Sequence, residues 1–269
     1  MYDLKLSVSL RLENAENPAY TEALIKAGID TVDIDLVSTW KEPYETQQSE
    51  LEKLEQRIER LAGLGIGFNA VHVSFGELWC LCSDDEEKRV TALKRTLDVC
   101  RRVSKYGVKI AVVHTNGRDF PLNKDRAAGI AQLRKSLTEL SASSPLTIAV
   151  ENLPRNCLGN TSGELLSIID GIDVKIACDV NHFLQEKPQD AVRKFGGKII
   201  TTHISDYDGT DERHWMPGEG IIEWQKVIAA FEDIGYSGAF NYEVIVPPEG
   251  FFKIAGNKKN LFRAYNKLR

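Results

Sequence analysis

Eight times along the chain, a short run rich in β-branched residues gives way to a longer amphipathic stretch. No other feature of the sequence limits the fold so tightly. The runs are Leu4–Leu10, Thr31–Leu36, Gly67–Ser74, Val108–Thr115, Leu146–Asn152, Val174–Val180, Ile199–Asp206 and Ala239–Ile245. Between and after them, helical periodicity falls at about 18–27, 46–64, 84–106, 124–141, 162–170, 187–195, 222–234 and 256–268. Such alternation predicts one parallel sheet with helices outside it, and eight units favour closure into a single (β/α)8 barrel of the α/β class. No linker, repeat or low-complexity tract interrupts residues 1–269, so one TIM-barrel domain is expected. Ser83 and Ser162 read as helix starts, and Gly28, Gly63 and Gly235 as stops. Gly63-Leu-Gly65-Ile-Gly67 precedes a strand rather than following one, which excludes a nucleotide-binding loop.

Alternation within a strand tells which side chains face the barrel axis. Glu151 shares a face with Ala149 and Thr147, and Asp179 with Ala177. His203 goes with Thr201 and Ser205 against Ile200 and Ile204, while Glu243 goes with Asn241 against Phe240, Tyr242 and Val244. Four polar residues therefore point inward near the carboxyl ends of strands five to eight. All five histidines, His72, His114, His182, His203 and His214, fall at or beyond strand ends. Asp33 or Asp35 on strand two is placed to reach the mouth or to bond in the barrel floor.

Three carboxylates and an imidazole around one point would repel strongly without a cation between them. The oxygen-rich set suits Mn²⁺, Mg²⁺ or Co²⁺, with Zn²⁺ also acceptable. Glu151, Asp179, His203 and Glu243 are accordingly the expected metal ligands, and one divalent metal ion is the expected cofactor. His182 lies three residues after Asp179 and could meet substrate oxygens or a second ion. Phe75, Trp79, Phe183 and Trp215 are candidates for an apolar wall against the substrate, with core packing the competing reading.

The remaining features restrict partners. Net charge is −5, which speaks against a nucleic-acid footprint. No apolar run is long enough for a signal peptide or a membrane span. Five scattered cysteines, at 80, 82, 100, 157 and 178, look like reduced thiols of a cytoplasmic protein. Cys80 and Cys82 have no second pair to complete a zinc site, and Asn160-Thr161-Ser162 is an acceptor motif without secretion to use it. A small carbohydrate-like molecule is the expected partner, with no nucleic acid and no membrane; a homo-oligomer is compatible with the sequence.

The runs Glu151-Asn152-Leu-Pro154, Cys178-Asp179-Val-Asn-His182, THISDYDG with ERHWMPGEG, and IGYSGAFNYEV ending near Glu243 resemble the xylose isomerase-like TIM barrels. More closely they resemble the sugar phosphate isomerase/epimerase group, with its ketose 3-epimerases and inosose dehydratases. The resemblance implies a divalent metal held by Glu151, Asp179, His203 and Glu243, with the two glutamates also acting as acid and base. His182 matches a substrate-binding histidine of the ketose 3-epimerases. Their substrate-contacting arginine is replaced here by Gly209, with Arg213 available from another loop position. The chain also resembles the zinc-dependent apurinic-site endonucleases of the same superfamily, at His72, His114, Glu151, Asp179, His182, His203 and Glu243. Their Asp-Arg-His element reads Glu212-Arg213-His214 here. The acidic balance, the Pro217–Gly220 loop and the YSGAFNYEV ending side with the sugar group.

The expected activity is a metal-dependent isomerase or epimerase of a small sugar, polyol or keto-sugar, with or without a phosphate, working by proton abstraction beside a carbonyl. A multi-zinc phosphodiesterase, an inosose dehydratase-type lyase and a catalytically silent barrel are the alternatives. One tightly held ion is expected. His182, His214, Arg213 and Trp215 would then bind substrate, together with His72 and His114 as an outer ring of the substrate-binding set.

Overall fold

The computed structural model describes residues 1–36, 47–116 and 119–268. Its eight parallel strands close into a barrel in sequential order: β1 (Lys5–Arg11), β2 (Thr31–Asp35), β3 (Gly67–His72), β4 (Ile110–Val113), β5 (Thr147–Glu151), β6 (Lys175–Asp179), β7 (Ile199–Ile204) and β8 (Ala239–Tyr242). A helix follows each strand or closes each unit: α1 (Pro18–Lys26), α2 (Gln47–Gly63), α3 (Glu86–Ser104), α4 (Arg126–Ser143), α5 (Ser162–Ile169), α6 (Pro188–Phe195), α7 (Trp224–Asp233) and α8 (Gly250–Lys267).

The helices form where apolar residues recur every three to four positions. In α2 the buried apolar positions are Leu51, Leu54, Ile58 and Leu61, so one stripe packs on the sheet. Two helix starts differ from expectation. Asp85, not Ser83, caps α3, its carboxylate accepting from Glu87 N and Lys88 N at 3.0 and 3.2 Å. Ser83 Oγ accepts from Asp85 N one step earlier. Thr161, not Ser162, caps α5. Gly28 and Gly235 do end helices with positive φ, but Gly63 remains helical and Gly65 takes the left-handed turn. The last helix begins at Gly250, earlier than its polar periodicity suggests, and position 46 of the second lies outside the described residues.

Two hydrophobic layers result. The larger lies between strands and helices, and a small plug of Ala70, Val112, Ala149 and Ala177, with Ile110 and Ile200, fills the barrel interior. Strands β3 and β7 each slip register once, between Val32/Ile34 on the β2–β3 ladder and Ile176/Ala177 on the β6–β7 ladder. The slip on β7 brings Ile200 into the plug beside inward Thr201, so strict alternation misplaces Ile200. Asn69, on the bulged part of β3, crosses the interior to donate to Thr201 Oγ1 at 3.0 Å and to Asp33 Oδ1 at 2.6 Å.

Candidate metal centre

Each interior layer residue has its next inward neighbour two positions on, at the carboxyl end of the strand. Ala70 thus precedes His72, Val112 precedes His114, Ala149 precedes Glu151, Ala177 precedes Asp179, and Thr201 precedes His203. The sheet's closure brings these ends together. Glu151, Asp179, His203 and Glu243 offer ligand atoms that all lie within 4.8 Å of one another. His203 Nδ1 sits between the two glutamates, 2.7 Å from Glu151 Oε1 and 2.8 Å from Glu243 Oε2. Glu243 lies just beyond β8, its backbone N–H still donating to Ile204 O at 3.0 Å.

The other histidines are not remote from this group. His72 Nε2 and His114 Nε2 approach Glu151 Oε2 at 3.1 and 2.9 Å. A further cluster of His182, Glu212 and His214 has its ligand atoms within the same 4.8 Å limit, as do His72, Glu151 and His203. His182 Nε2 lies 2.9 Å from Glu212 Oε2 and 3.4 Å from Asp179 Oδ2.

The imidazoles are oriented as metal ligands need to be. A carbonyl oxygen can only accept, so a ring nitrogen facing one must carry the proton. His72 Nδ1 donates to Val73 O at 3.1 Å, His182 Nδ1 to Asn152 O at 2.8 Å, and His214 Nδ1 to Glu243 O at 3.1 Å. A ring that ligates a cation must be neutral, and Nε2 then carries the lone pair. For His72 and His182 that nitrogen faces the carboxylates, toward which it holds a proton when no cation is bound. His203 is the reverse case, with Nδ1 toward the glutamates and Nε2 3.9 Å from Asp33 Oδ2 in the floor. Among the described residues, Asp179 Oδ2 is buried without a hydrogen-bond partner, and His182 Nε2 has Glu212 Oε2 as its near neighbour at 2.9 Å. These residues fit a divalent cation.

Electrostatics agree. Burial pushes Asp179 up to about 6 despite His182, with Glu243 and Glu151 adding to the rise. Burial likewise raises Asp33 to about 6 against the pull of His203 and Asn69. Burial works against the charged form of Glu151 too, but His203 and His114 outweigh it and hold the carboxyl well below the usual range. Burial opposes charge on His72, yet Glu151 lifts it to about 9. For His182, Asp179 and Glu212 overcome burial and lift it to about 10. Crowded buried carboxylates thus draw in whatever positive charge is available.

Around this core, Asn152 clasps the neighbouring strand: its Nδ2 donates to Asp179 O and its Oδ1 accepts from Asp179 N, both at 2.9 Å. Arg155, at φ 52°, supports Glu212 at 2.6 Å and Asp211 at 2.9 Å. His214 also adopts positive φ, 50°, a strained geometry that concentrates at functional sites. Arg213 points its guanidinium to Asp208 at 2.7 Å, away from the cluster. Trp215 is 39% exposed and pairs its backbone with Asp206. Phe75 stacks on His114 with centroids 4.3 Å apart, Trp79 is buried under Arg95, and Phe183 packs with Phe195 in the outer core. Sequence reasoning gave Asn152 and Arg155 no role. A carboxamide directly after an inward glutamate was the available signal for Asn152, whereas the reach of Arg155 to Glu212 had none.

A family profile described as "Xylose isomerase-like TIM barrel" matches residues 21–261. An uncharacterized protein of Methanocaldococcus jannaschii is 34% identical over 116 residues, which is 40% of each chain; the chain thus spans well under half of that curated relative. Among solved structures, a D-tagatose 3-epimerase-like protein superposes with a TM-score of 0.76 at 23% identity, covering 98% of both chains. A D-psicose 3-epimerase from Clostridium cellulolyticum H10, solved with D-tagatose, gives a TM-score of 0.74 at 18% identity over 98% and 99%.

Proposed function

Because this chain belongs to the xylose isomerase-like TIM barrel family, we propose that it is a metal-dependent sugar isomerase or epimerase. The observation that carries this reading is the convergence of Glu151, Asp179, His203 and Glu243 within 4.8 Å at the barrel mouth. The similarity in fold to the tagatose and psicose 3-epimerases supports it. One divalent cation held by these four residues would polarise a carbonyl and its neighbouring hydroxyl and acidify the C–H between them.

The protein's own part is proton transfer and placement. One of the two glutamates takes the proton and the other returns it, through an enediolate of the sugar. Glu243 keeps 20% of its side chain exposed and Glu151 only 1%, so a proton on Glu243 exchanges more readily with water. His203 Nδ1 lies between the two carboxylates, placed to share the cation with them. His182 and His214 meet substrate oxygens, with His72 and His114 holding Glu151 from behind. Arg213 and Trp215 serve the substrate only from the rim. A keto-sugar panel in deuterated water is the test. Exchange at the carbon beside the carbonyl, lost in Glu151→Gln and Glu243→Gln by about 10²-fold or more, is the expected result. Absence of exchange from metal-loaded protein on every keto-sugar sinks the reading.

A multi-metal phosphodiesterase is the second reading, and one observation favours it: His182, Glu212 and His214 form a separate three-ligand cluster, and His72 joins Glu151 and His203 in another. Net charge −5 weighs against a DNA substrate. Chelator-sensitive incision of abasic duplex DNA by the purified protein would decide for it, together with two or three metals per chain that fall in His72→Ala.

A further inference from the structure

A cavity of about 1060 Å³ lies between the loops that follow β3 and β4. None of the cation-cluster residues lines it; Phe75 stands between the two, its ring lying face to face on His114 at 9° and also forming part of the cavity wall. The volume is at the top of the roughly 300–1,000 Å³ typical of sites that bury most of a drug-sized ligand. A free monosaccharide at the metal centre would leave this space to water.

We propose, resting on the isomerase reading, that the cavity receives a flat, uncharged substituent of the substrate, so that the enzyme acts on glycoside-like sugars rather than free monosaccharides. Phe75, Trp79 and Phe120 are among its lining residues, aromatic surface suited to the apolar face of a second ring. Phe120 can occupy its place only because α4 carries Gly129 beneath it; a Cβ there would stand 2.5 Å from Phe120 Cε2. Gln132 Oε1, also in the wall, is buried with no hydrogen-bond partner among the described residues and is ready to accept from a hydroxyl.

Charge selects against the phosphorylated class. Among the described residues the wall holds Glu77, Asp84, Asp85, Asp119 and Asp125 against Lys88 and Lys124. Both lysines are already paired, Lys88 with Glu77 at 3.2 Å and Lys124 with Asp84 at 2.6 Å. A phosphate or carboxylate entering here meets an excess of negative charge among the described residues. The shared chemistry of the occupant is a flat neutral ring, supplied either by an aryl group or by a second pyranose.

The test measures binding of glucose, glucose 6-phosphate, phenyl glucoside and cellobiose to the metal-loaded protein by calorimetry, alongside exchange on the matching 3-keto-sugars. Phenyl glucoside and cellobiose should bind at least about tenfold more tightly than glucose, and glucose 6-phosphate no more tightly. Ala128→Trp, which fills the cavity from an exposed position on α4, should abolish that advantage and leave glucose unchanged. Loss in Gln132→Leu confined to cellobiose identifies the second pyranose; an unaffected cellobiose with a retained phenyl advantage identifies the aryl group. Equal binding of glucose and both glycosides, or insensitivity to Ala128→Trp, overturns the proposal. Ala128→Trp-sensitive glycoside binding without exchange on any keto-sugar removes the isomerase reading and keeps the cavity assignment. Exchange on free keto-sugars as efficient as on glycosides does the reverse.

Discussion

At the scale of single residues, the site depends on side chains that hold other side chains. Asn152 satisfies both backbone groups of Asp179 in a fully buried position. Asn152→Ala leaves a buried N–H and C=O with no partner, at about 1–3 kcal/mol for each group. A loss of about 2–6 kcal/mol in denaturant unfolding is expected, with weaker cation binding because Asp179 is no longer fixed; unchanged midpoint and affinity would contradict it. Asp179 was legible in the sequence from strand parity, since a period of two needs no tertiary information. Asn152 was not, because its role is a contact between β5 and β6 that only the closed barrel defines.

At the scale of elements, one aspartate organises the loop that carries Glu212 and His214. Asp206 accepts from Gly218 N at 2.8 Å, Ile222 N at 3.1 Å, Trp224 Nε1 at 2.8 Å and Tyr207 N at 3.0 Å. Gly220 lies so close that a Cβ would stand 2.2 Å from Tyr207 O. Asp206→Ala should therefore cost at least about 3 kcal/mol and open residues 207–222 to limited proteolysis; a protease-resistant loop in this variant would show that the anchor is elsewhere. A second junction is acid-labile. Burial raises Glu164, but Arg126 at 2.7 and 2.6 Å and the Gly159 N–H at 2.6 Å outweigh it, so its carboxyl lies below the ordinary 4.5. Since the folded value is the lower one, the contribution is complete above about 4.5 and is lost as pH falls through the folded value. Glu164→Gln should flatten the decline in thermal midpoint below pH 4.5, and an unchanged acid limb would refute the assignment. The strand and helix succession was readable from periodicity, whereas the caps at Asp85 and Thr161 depended on competition among adjacent polar residues.

At the scale of the whole molecule, a crowded, buried carboxylate centre makes the fold's stability depend on its counter-charge. Any cation that binds the folded chain and not the unfolded one stabilises it by mass action, about 2.7 kcal/mol at a hundredfold excess over Kd. Chelation should accordingly lower the thermal midpoint by several degrees, with recovery on adding back a divalent ion. Equal midpoints with and without chelator would show that the histidines alone neutralise the site. No helix among the described residues is long and apolar enough to cross a membrane.

The sequence by itself determined the number and order of strands and helices. It also placed Glu151, Asp179, His203 and Glu243 at one end of the barrel, because period and parity are local properties of the chain. Tertiary structure alone decided what those ends meet. The inward turn of Ile200 arises from a register slip between two strands. The approach of His72 and His114 to Glu151 arises from closure across the barrel mouth, and the grouping of Glu212 and His214 with His182 from a loop pinned by Asp206. Each depends on distances between residues far apart in the chain, which packing sets and no local pattern encodes.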